Sequence, residues 1–142
     1  MAVPSATAEN YLKAIFQAQL HLPRKSDLVP MRQLSTAMGV VPGTATTMVK
    51  ALSDAALVKY EPYAGVRLTQ SGEKLAAGVV RRHRVIELFL VKVLGLTAPD
   101  ADEEAERLEH AMSDRVMARL DEMLGHPVVD PYGDRGGQSD PE

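Results

Sequence analysis

The chain has 142 residues, enough for one domain or two small ones, and its 45% hydrophobic but only 4% aromatic composition predicts an aliphatic, mostly helical core. It contains no cysteine, which excludes a disulfide framework and a thiolate zinc site. The sequence shows neither a signal peptide nor an apolar run long enough to span a membrane, so we expect a cytoplasmic protein with no membrane partner.

The formal net charge of −3 hides an uneven distribution of charge along the chain. Residues 1–96 contain 12 Lys and Arg against 6 Asp and Glu, whereas residues 97–142 contain 4 against 13. A basic segment suits a partner that carries phosphates, and an acidic segment suits cations. The first part of the chain is therefore a candidate for binding nucleic acid, and the second part for binding a metal ion.

The first part of the chain predicts three helices. Apolar residues at helical spacing predict a first helix from about Ser5 to Leu22, ended by Pro23. A second helix runs from Met31 to Met38 and is closed by Gly39, which tolerates a left-handed backbone. A third runs from Pro42 to about Ala56, because the missing N–H of proline costs nothing at the first helical position.

The third helix has an apolar face and a face of small hydroxyl and cationic groups. Two helices joined by a tight turn form a helix-turn-helix, in which the start of the second helix enters the major groove of DNA. An amphipathic hairpin without DNA explains these residues equally well. The outward residues that we predict to contact DNA are Pro42, Gly43, Thr44, Thr46, Thr47 and Lys50.

Two β-prone segments around a turn predict a hairpin after the third helix. Leu57–Tyr60 and Val66–Thr69 are the two segments, and the residues between them include Gly65. Three helices followed by a hairpin make a winged helix, which favours the DNA interpretation. Tyr63 and Arg67 are the wing residues expected to reach DNA, although a tyrosine here also suits a cap on the core.

The second part of the chain predicts three further helices. The fourth runs from about Gln70 to Leu94. A capping box of the D-x-x-E kind, Asp100 to Glu103, starts a fifth helix that ends near Met112. Ser113 starts a sixth. Apolar residues on the last two helices exceed what a short helical domain needs for its own core, and this excess indicates a second copy of the chain.

Ionisable residues at helical spacing in the second part predict a cation site. Glu106, Glu109 and His110 share one face of a helix, because residues three and four apart lie together. His83 and Glu87 are also four apart, among apolar neighbours. Oxygen and imidazole ligands without sulfur suit Mn²⁺ or Fe²⁺. A solvated acidic face, with an ion pair between His83 and Glu87, explains the same residues without a metal.

The order of the elements and several motifs resemble the diphtheria toxin repressor family of metal-dependent transcriptional repressors, including its manganese transport regulator branch. The similarity extends over nearly the whole chain. The matching motifs are Thr7-x-Glu9-x-Tyr11-Leu12, the helix-turn-helix through Leu57-Val58, Leu68-Thr69-x-x-Gly72, Arg82-His83-Arg84 with Glu87, and Glu104-Ala105-x-Arg107-x-Glu109-His110-x-Met112-Ser113-Asp114.

The resemblance implies two metal sites, one between the first and fifth helices and one beside the fourth. Asn10 and Lys13 depart from the manganese branch, which has carboxylates at both positions. Glu106 stands where the iron-selective members have Cys, and a carboxylate there favours manganese. Carried over by position, the first site consists of Asn10, Glu106, Glu109 and His110, and the second of His83, Glu87 and Asp102.

The resemblance also implies a mainly α fold with a small β wing. An N-terminal winged helix-turn-helix DNA-binding domain is expected in residues 1–72, a helical metal-binding and dimerisation domain in residues 73–126, and a flexible tail or linker in residues 127–142. Longer members of the family carry a further small β-barrel domain after such a linker.

The function that the resemblance implies is repression of metal-uptake genes. Mn²⁺ or Fe²⁺ is the expected effector, and its binding fixes the geometry in which a homodimer binds a double-stranded DNA operator. The alternative is a winged-helix regulator that responds to a small organic ligand and binds no metal. We do not expect an enzyme, because the sequence offers no activated nucleophile and no Gly-rich phosphate loop.

Overall fold

The computed structural model describes residues 5–132, in which the regular elements are six helices and one short hairpin. The elements in this part of the chain are α1 (Ala6–Gln19), α2 (Met31–Met38), α3 (Pro42–Asp54), β1 (Val58–Glu61), β2 (Gly65–Leu68), α4 (Gln70–Lys92), α5 (Ala98–Leu108) and α6 (Asp114–Met123). The fold class expected from the sequence is confirmed. None of the helices described here is both long and apolar enough to cross a membrane.

The chain divides into two compact units, and the boundary between them falls within α4, after Ala77. The N-terminal unit contains α1 to α3, the hairpin and the first turns of α4, and the C-terminal unit contains the remainder. The sequence set the boundary at residue 72, near the start of the same helix. Of the predicted tail, residues 133–142 lie outside the described residues, whereas Val129 packs against the C-terminal core and the carbonyl of Asp130 accepts a hydrogen bond from Arg84.

Ser5 caps the start of α1, because its hydroxyl accepts a hydrogen bond from the Ala8 N–H at 3.1 Å. Its end comes earlier than predicted, at Gln19 instead of Leu22. The N–H groups of His21 and Leu22 bond to carbonyls three residues back, so the chain tightens into turns before Pro23 is reached.

The turn between α2 and α3 follows local rules. Gly39 has a φ of +69° and closes α2, and Pro42 occupies the start of α3, so both predictions are confirmed. Ala45 and Val49 are buried on the inner face of α3. The helix ends at Asp54 and not at Ala56, whose φ of +62° takes it out of the helix.

The wing is fixed at its base by backbone contacts. β1 and β2 pair antiparallel, and Val29 forms a bridge with Val66 through N–H···O bonds of 2.7 and 3.0 Å. The side-chain oxygen of Gln19 accepts a further bond from Leu68 N–H at 2.7 Å. At Gly65, whose φ is +136°, an added Cβ would lie 2.4 Å from the carbonyl oxygen of Val29. The base of the wing is therefore a close-packed junction in which glycine is required.

The C-terminal unit is built around an aliphatic core to which all three of its helices contribute. α4 contributes Val85, Ile86 and Leu90, which are buried. Small residues of α5 and longer ones of α6 complete the cluster: Ala101, Ala105, Met117 and Leu120. The alanines of α5 leave little side-chain bulk between it and the core, so they allow its backbone to pack closely.

The ends of α5 differ from the prediction. The N-cap is Thr97, whose hydroxyl accepts a hydrogen bond from Asp100 N–H at 3.3 Å, and not Asp100 itself. The helix ends at Leu108 and not near Met112, because the N–H groups of both Ala111 and Met112 bond to the carbonyl of Leu108. The start of α6 was predicted correctly, since Ser113 is its N-cap.

We expect Gly72→Ala to destabilise the N-terminal unit, because the added Cβ would lie 2.0 Å from the carbonyl oxygen of Leu57. Overpacking of this kind typically costs about 1–3 kcal/mol, measurable as a lower midpoint of urea unfolding. Gly78→Ala on the same helix is the matched control, since nothing lies within 4 Å of its added Cβ. The control should be neutral or slightly stabilising, and an equal loss of stability in both variants would contradict the steric explanation.

Candidate metal centre

Six ionisable side chains of the C-terminal unit come from two helices and the turn that follows the second. His83 and Glu87 lie one turn apart on α4. Asp102 and Glu106 lie one turn apart on α5, and Glu109 and His110 follow directly after its last residue. All six belong to the set that the sequence predicted as metal ligands.

His83 lies at the centre of this cluster. Its Nδ1 is 2.5 Å from Oε1 of Glu109, and its Nε2 is 2.8 Å from Oδ1 of Asp102. The same Nε2 is 3.5 Å from Oε2 of Glu87. A doubly protonated imidazole donates through both ring nitrogens, so His83 joins carboxylates that approach from both sides of its ring.

Glu109 is the most deeply buried member of the cluster. Its carboxylate has no solvent exposure, and its second oxygen is 3.3 Å from Nε2 of His110. A buried carboxylate is costly unless it is paired. Two histidines therefore stabilise the single charge of Glu109.

The cluster contains two groups of three residues, and within each group the donor atoms lie within 4.8 Å of one another. One consists of His83, Glu106 and Glu109, and the other of His83, Glu87 and Asp102. The second group matches the three residues predicted for the second metal site. The first group contains two of those predicted for the first site, and it adds His83, which the sequence had assigned to the second site alone.

The remaining predicted ligands take different places. His110 contacts Glu109 but is in neither group, and its side chain is mostly buried. Asn10 is half-buried on α1, in the N-terminal unit. Its role beside the six residues of the C-terminal unit stays a prediction.

The pKa of His83 shows how strongly the carboxylates act on it. Burial by itself lowers the pKa of an imidazole. Its neighbours outweigh burial and raise the pKa of His83 to about 10, through hydrogen bonds with Glu109 and Glu87, the Coulomb attraction of Glu109 and a hydrogen bond with Asp102. His83 is therefore a cation at neutral pH when no metal is present, and it balances part of the negative charge around it.

The donors fit a hard or borderline divalent cation. They are carboxylate oxygens and imidazole nitrogens with no sulfur, which suits Mn²⁺ or Fe²⁺ better than softer metals. One donor residue, Glu109, is fully buried, whereas Asp102 is 62% exposed at the opposite side of His83. The cluster thus offers an enclosed end and an end open to solvent.

Arg82, to which the sequence assigned no role, contacts the backbone that carries Glu109. Its guanidinium donates hydrogen bonds to the carbonyls of Glu109 and Met112 at 3.0 and 2.5 Å. The available signals were its position next to His83 and its place in the Arg82-His83-Arg84 motif. Those signals are weak, because the neighbouring Arg81 and Arg84 have other partners.

The residues predicted to contact DNA are accessible on the N-terminal unit. On α3, five of the predicted residues are exposed and Thr46 is partly buried: the exposed ones are Pro42, Gly43, Thr44, Thr47 and Lys50. The Thr47 hydroxyl donates to the Gly43 carbonyl at 3.0 Å. Its donor is therefore used within the helix, and its methyl group and oxygen lone pairs remain for a partner.

The wing presents both an aromatic residue and a pair of cations. Tyr63 is fully exposed at the tip, where its φ is +68°, so it does not cap the core. Arg67 lies directly opposite Lys59 in the hairpin register. Like charges facing each other on a hairpin are unfavourable unless an anion lies between or near them. This arrangement suits a phosphate backbone.

Two family models together match most of the chain. Residues 5–66 match the iron-dependent repressor N-terminal DNA-binding domain, and residues 69–136 match the iron-dependent repressor metal-binding and dimerisation domain. These matches agree with the expected DNA-binding part and with the expected metal-binding and dimerisation part.

Individual relatives agree with the family models. The chain is 36% identical over 116 residues to an uncharacterised HTH-type transcriptional regulator of Methanocaldococcus jannaschii, covering 82% of this chain and 90% of that protein. It is 31% identical over 128 residues to the diphtheria toxin repressor of Corynebacterium efficiens, covering 89% of this chain and 54% of that protein.

Among solved structures, a manganese-dependent transcriptional repressor in complex with manganese matches with a TM-score of 0.75 and 43% identity, over 89% of this chain and 56% of that one. The chain thus spans about half the length of this repressor and of the diphtheria toxin repressor. The two domain matches and the identity to relatives over most of this chain lead to one conclusion: this chain belongs to the iron-dependent repressor family of metal-dependent transcriptional regulators.

Proposed function

We propose that this protein is a transcriptional repressor of metal-uptake genes that binds its operator as a homodimer when Mn²⁺ or Fe²⁺ is bound. The observation that carries the proposal is the ligand cluster around His83, which occurs in the same chain as a winged helix with an exposed α3 face. The relatives named as manganese-dependent and diphtheria toxin repressors support the same function.

The proposed ligands are the predicted ones. His83 can act with Glu106 and Glu109 or with Glu87 and Asp102, since the donor atoms of each group lie close together. His110 and Asn10 are proposed as further ligands on the basis of the family resemblance. A bound divalent cation would supply two positive charges to a region in which several carboxylates surround the imidazolium of His83.

The cluster's own residues explain why it can act as a switch. Without a metal, His83 is protonated and holds Glu109 and Asp102 through its two ring nitrogens. As a metal ligand the same imidazole must be neutral, so the proton has to leave. The cluster therefore has two charge states with different partners for His83, and it is the element that we propose to govern DNA binding.

We propose that the two α3 helices of a dimer enter successive major grooves, about 34 Å apart. Metal bound by one unit and DNA bound by the other then strengthen each other, a coupling that is typically ~1–3 kcal/mol. Val116 and Met123 of α6 are more than 40% exposed although they are apolar, and they suit the surface of a second copy.

DNA recognition would combine few base contacts with many backbone contacts. The exposed residues of α3 are mostly short, and Lys50 is its one long cationic side chain in the exposed set. Lys59 and Arg67 on the wing suit phosphates. We therefore propose that DNA shape contributes much of the specificity.

A regulator that responds to an organic ligand is not favoured, because both matching family models describe iron-dependent repressors. The family consists of DNA-binding repressors, and we propose no catalytic role. We place the protein in the cytoplasm, where its proposed DNA target lies.

The test is a titration of a labelled duplex, selected from a random library in the presence of Mn²⁺, with protein under Mn²⁺, Fe²⁺ or chelator. Either metal should raise the affinity for the duplex, and the chelator should remove that gain. Glu106→Ala should lose the metal-dependent gain, because it removes a charged donor of the His83 group. The control is Glu103→Ala, an exposed acidic residue of the same helix outside both groups. Full activation of Glu106→Ala would exclude Glu106 as a ligand.

The metal-free protein should lose stability as pH rises from about 6.5 towards 10. The folded state holds the His83 proton across this range, because its pKa is raised to about 10, whereas the unfolded chain releases it near the ordinary value of 6.5. The free energy of unfolding should therefore fall by at most about 1.4 kcal/mol per pH unit. Urea unfolding in chelator, followed by helical circular dichroism, measures this. An unchanged slope in His83→Gln would refute the assignment.

Thr47→Ala should change which sequences are preferred, because its methyl group and hydroxyl oxygen face outwards at the start of α3. Lys50→Ala should weaken binding to all sequences similarly and reduce the salt dependence by about one counterion, as expected for a phosphate contact. Selection from a random library followed by sequencing compares the two variants. Equal loss on every sequence for Thr47→Ala would show that it does not read bases.

A further inference from the structure

The turn after α5 is held by one side chain of α4. We call residues Glu109–Met112 the ligand turn, because it contains two of the proposed ligands. Arg82 donates from Nε to the carbonyl of Glu109 at 3.0 Å and from Nη2 to the carbonyl of Met112 at 2.5 Å. Its Nη1 is also 3.6 Å from Oδ1 of Asp114 at the start of α6. The guanidinium thus contacts the first and last residues of the ligand turn.

These carbonyls need an outside partner. The carbonyl of Glu109, the C-cap residue of α5, lies beyond the last intrahelical N–H donors of that helix. The carbonyl of Met112 lies in the turn, directly before the N-cap of α6. A guanidinium offers several N–H donors in a fixed plane, so it can satisfy two carbonyls at once. A positive charge at the C-terminal end of a helix also interacts favourably with the helix dipole. Arg82 therefore closes α5 and fixes the path of the chain after it.

The next residue along α4 holds the side chain of the same glutamate. His83 Nδ1 contacts the carboxylate of Glu109 at 2.5 Å, while Arg82 binds the carbonyl of Glu109. Consecutive residues of one helix thus fix both the backbone and the carboxylate of Glu109. If Glu109 exchanges His83 for a metal ion, the contact with Arg82 continues to fix its backbone relative to α4.

We propose that Arg82 is a positioning residue of the metal site: by holding the ligand turn, it keeps Glu109 and His110 in place to bind metal. This inference rests on the proposed function and adds to it a determinant of metal affinity that does not itself touch the metal. Residues that orient metal ligands from outside typically change metal affinity by about 10- to 100-fold when they are replaced.

Arg81 provides a matched comparison within the same unit. Its Nη2 donates to Oδ1 of Asp121 on α6 at 3.2 Å, and His126 Nδ1 lies 2.6 Å from the other oxygen of that carboxylate. Arg81 therefore also joins α4 to a later helix through a charged hydrogen bond. It does not contact the ligand turn, so its loss removes a comparable tertiary contact while leaving the proposed ligands in place.

The experiment measures Mn²⁺ affinity of the full chain without DNA, by calorimetry, for wild type, Arg82→Lys and Arg81→Lys. Lysine keeps the charge but cannot bond both carbonyls with a planar fork. We expect Arg82→Lys to bind Mn²⁺ about 10- to 100-fold more weakly, and Arg81→Lys to stay within about threefold of wild type. The electron paramagnetic resonance spectrum of bound Mn²⁺ should change only in Arg82→Lys.

Melting temperatures in chelator separate positioning from general stability. Both lysine variants should lose a similar few degrees, and affinities are compared below the onset of melting. Arg82→Gln, which removes the charge as well as the fork, should bind Mn²⁺ no more tightly than Arg82→Lys. Wild-type Mn²⁺ affinity and spectrum in Arg82→Lys would overturn the positioning role.

The two proposals fail in distinguishable ways. A wild-type chain that binds neither Mn²⁺ nor Fe²⁺ overturns the proposed function itself. Suppose instead that wild type binds metal and gains DNA affinity. If Arg82→Lys then does the same at equal metal concentrations, only the role of Arg82 is overturned.

Discussion

The buried carboxylate of Glu109 is the constraint on which the C-terminal unit depends. A carboxylate with no solvent exposure destabilises the fold unless charged or hydrogen-bonding partners surround it. His83 and His110 provide those partners, and Arg82 holds the backbone from which the carboxylate extends. The same contacts therefore pack α4 against the end of α5 and balance the charge of the cluster.

The stability of the C-terminal unit therefore depends on the charges in this cluster. An ion pair buried at this depth contributes little net stability, because desolvation offsets most of the attraction, but losing one partner is severe. The cluster satisfies its negative charge with an imidazolium and can also accept a divalent cation of suitable chemistry. We propose that this site responds to the concentration of the cation, above an aliphatic core to which it does not belong.

The N-terminal unit has the opposite character. Its hairpin is fixed by backbone bonds between Val29 and Val66, by the side chain of Gln19 and by a junction at Gly65 that admits no Cβ. A rigid base of this kind holds the exposed face of α3 and the wing cations in a fixed arrangement within the unit. Binding a partner then does not require that α3 and the wing first become ordered, and so it avoids that cost in conformational entropy.

The sequence by itself determined the features that depend on near neighbours. Gly39 and Pro42 mark the turn of the helix-turn-helix because each has a backbone preference that neighbours cannot override. The spacing of His83 and Glu87 placed them on one face of α4, because residues four apart on a helix are neighbours. The residues of the cluster could be predicted from such spacings and from family resemblance, and their role as metal ligands stays a prediction.

Tertiary structure decided what lies beyond one helical turn. Thr97 and Asp100 are both good caps, and only the packing of α5 on the core selected Thr97. His83 is 26 residues from Glu109, and Arg82 is 30 from Met112, so no local pattern shows that they meet. Propensity and periodicity describe how a segment folds on itself. Which carbonyl an arginine reaches, and which carboxylates share one imidazole, depends on how separate helices come together.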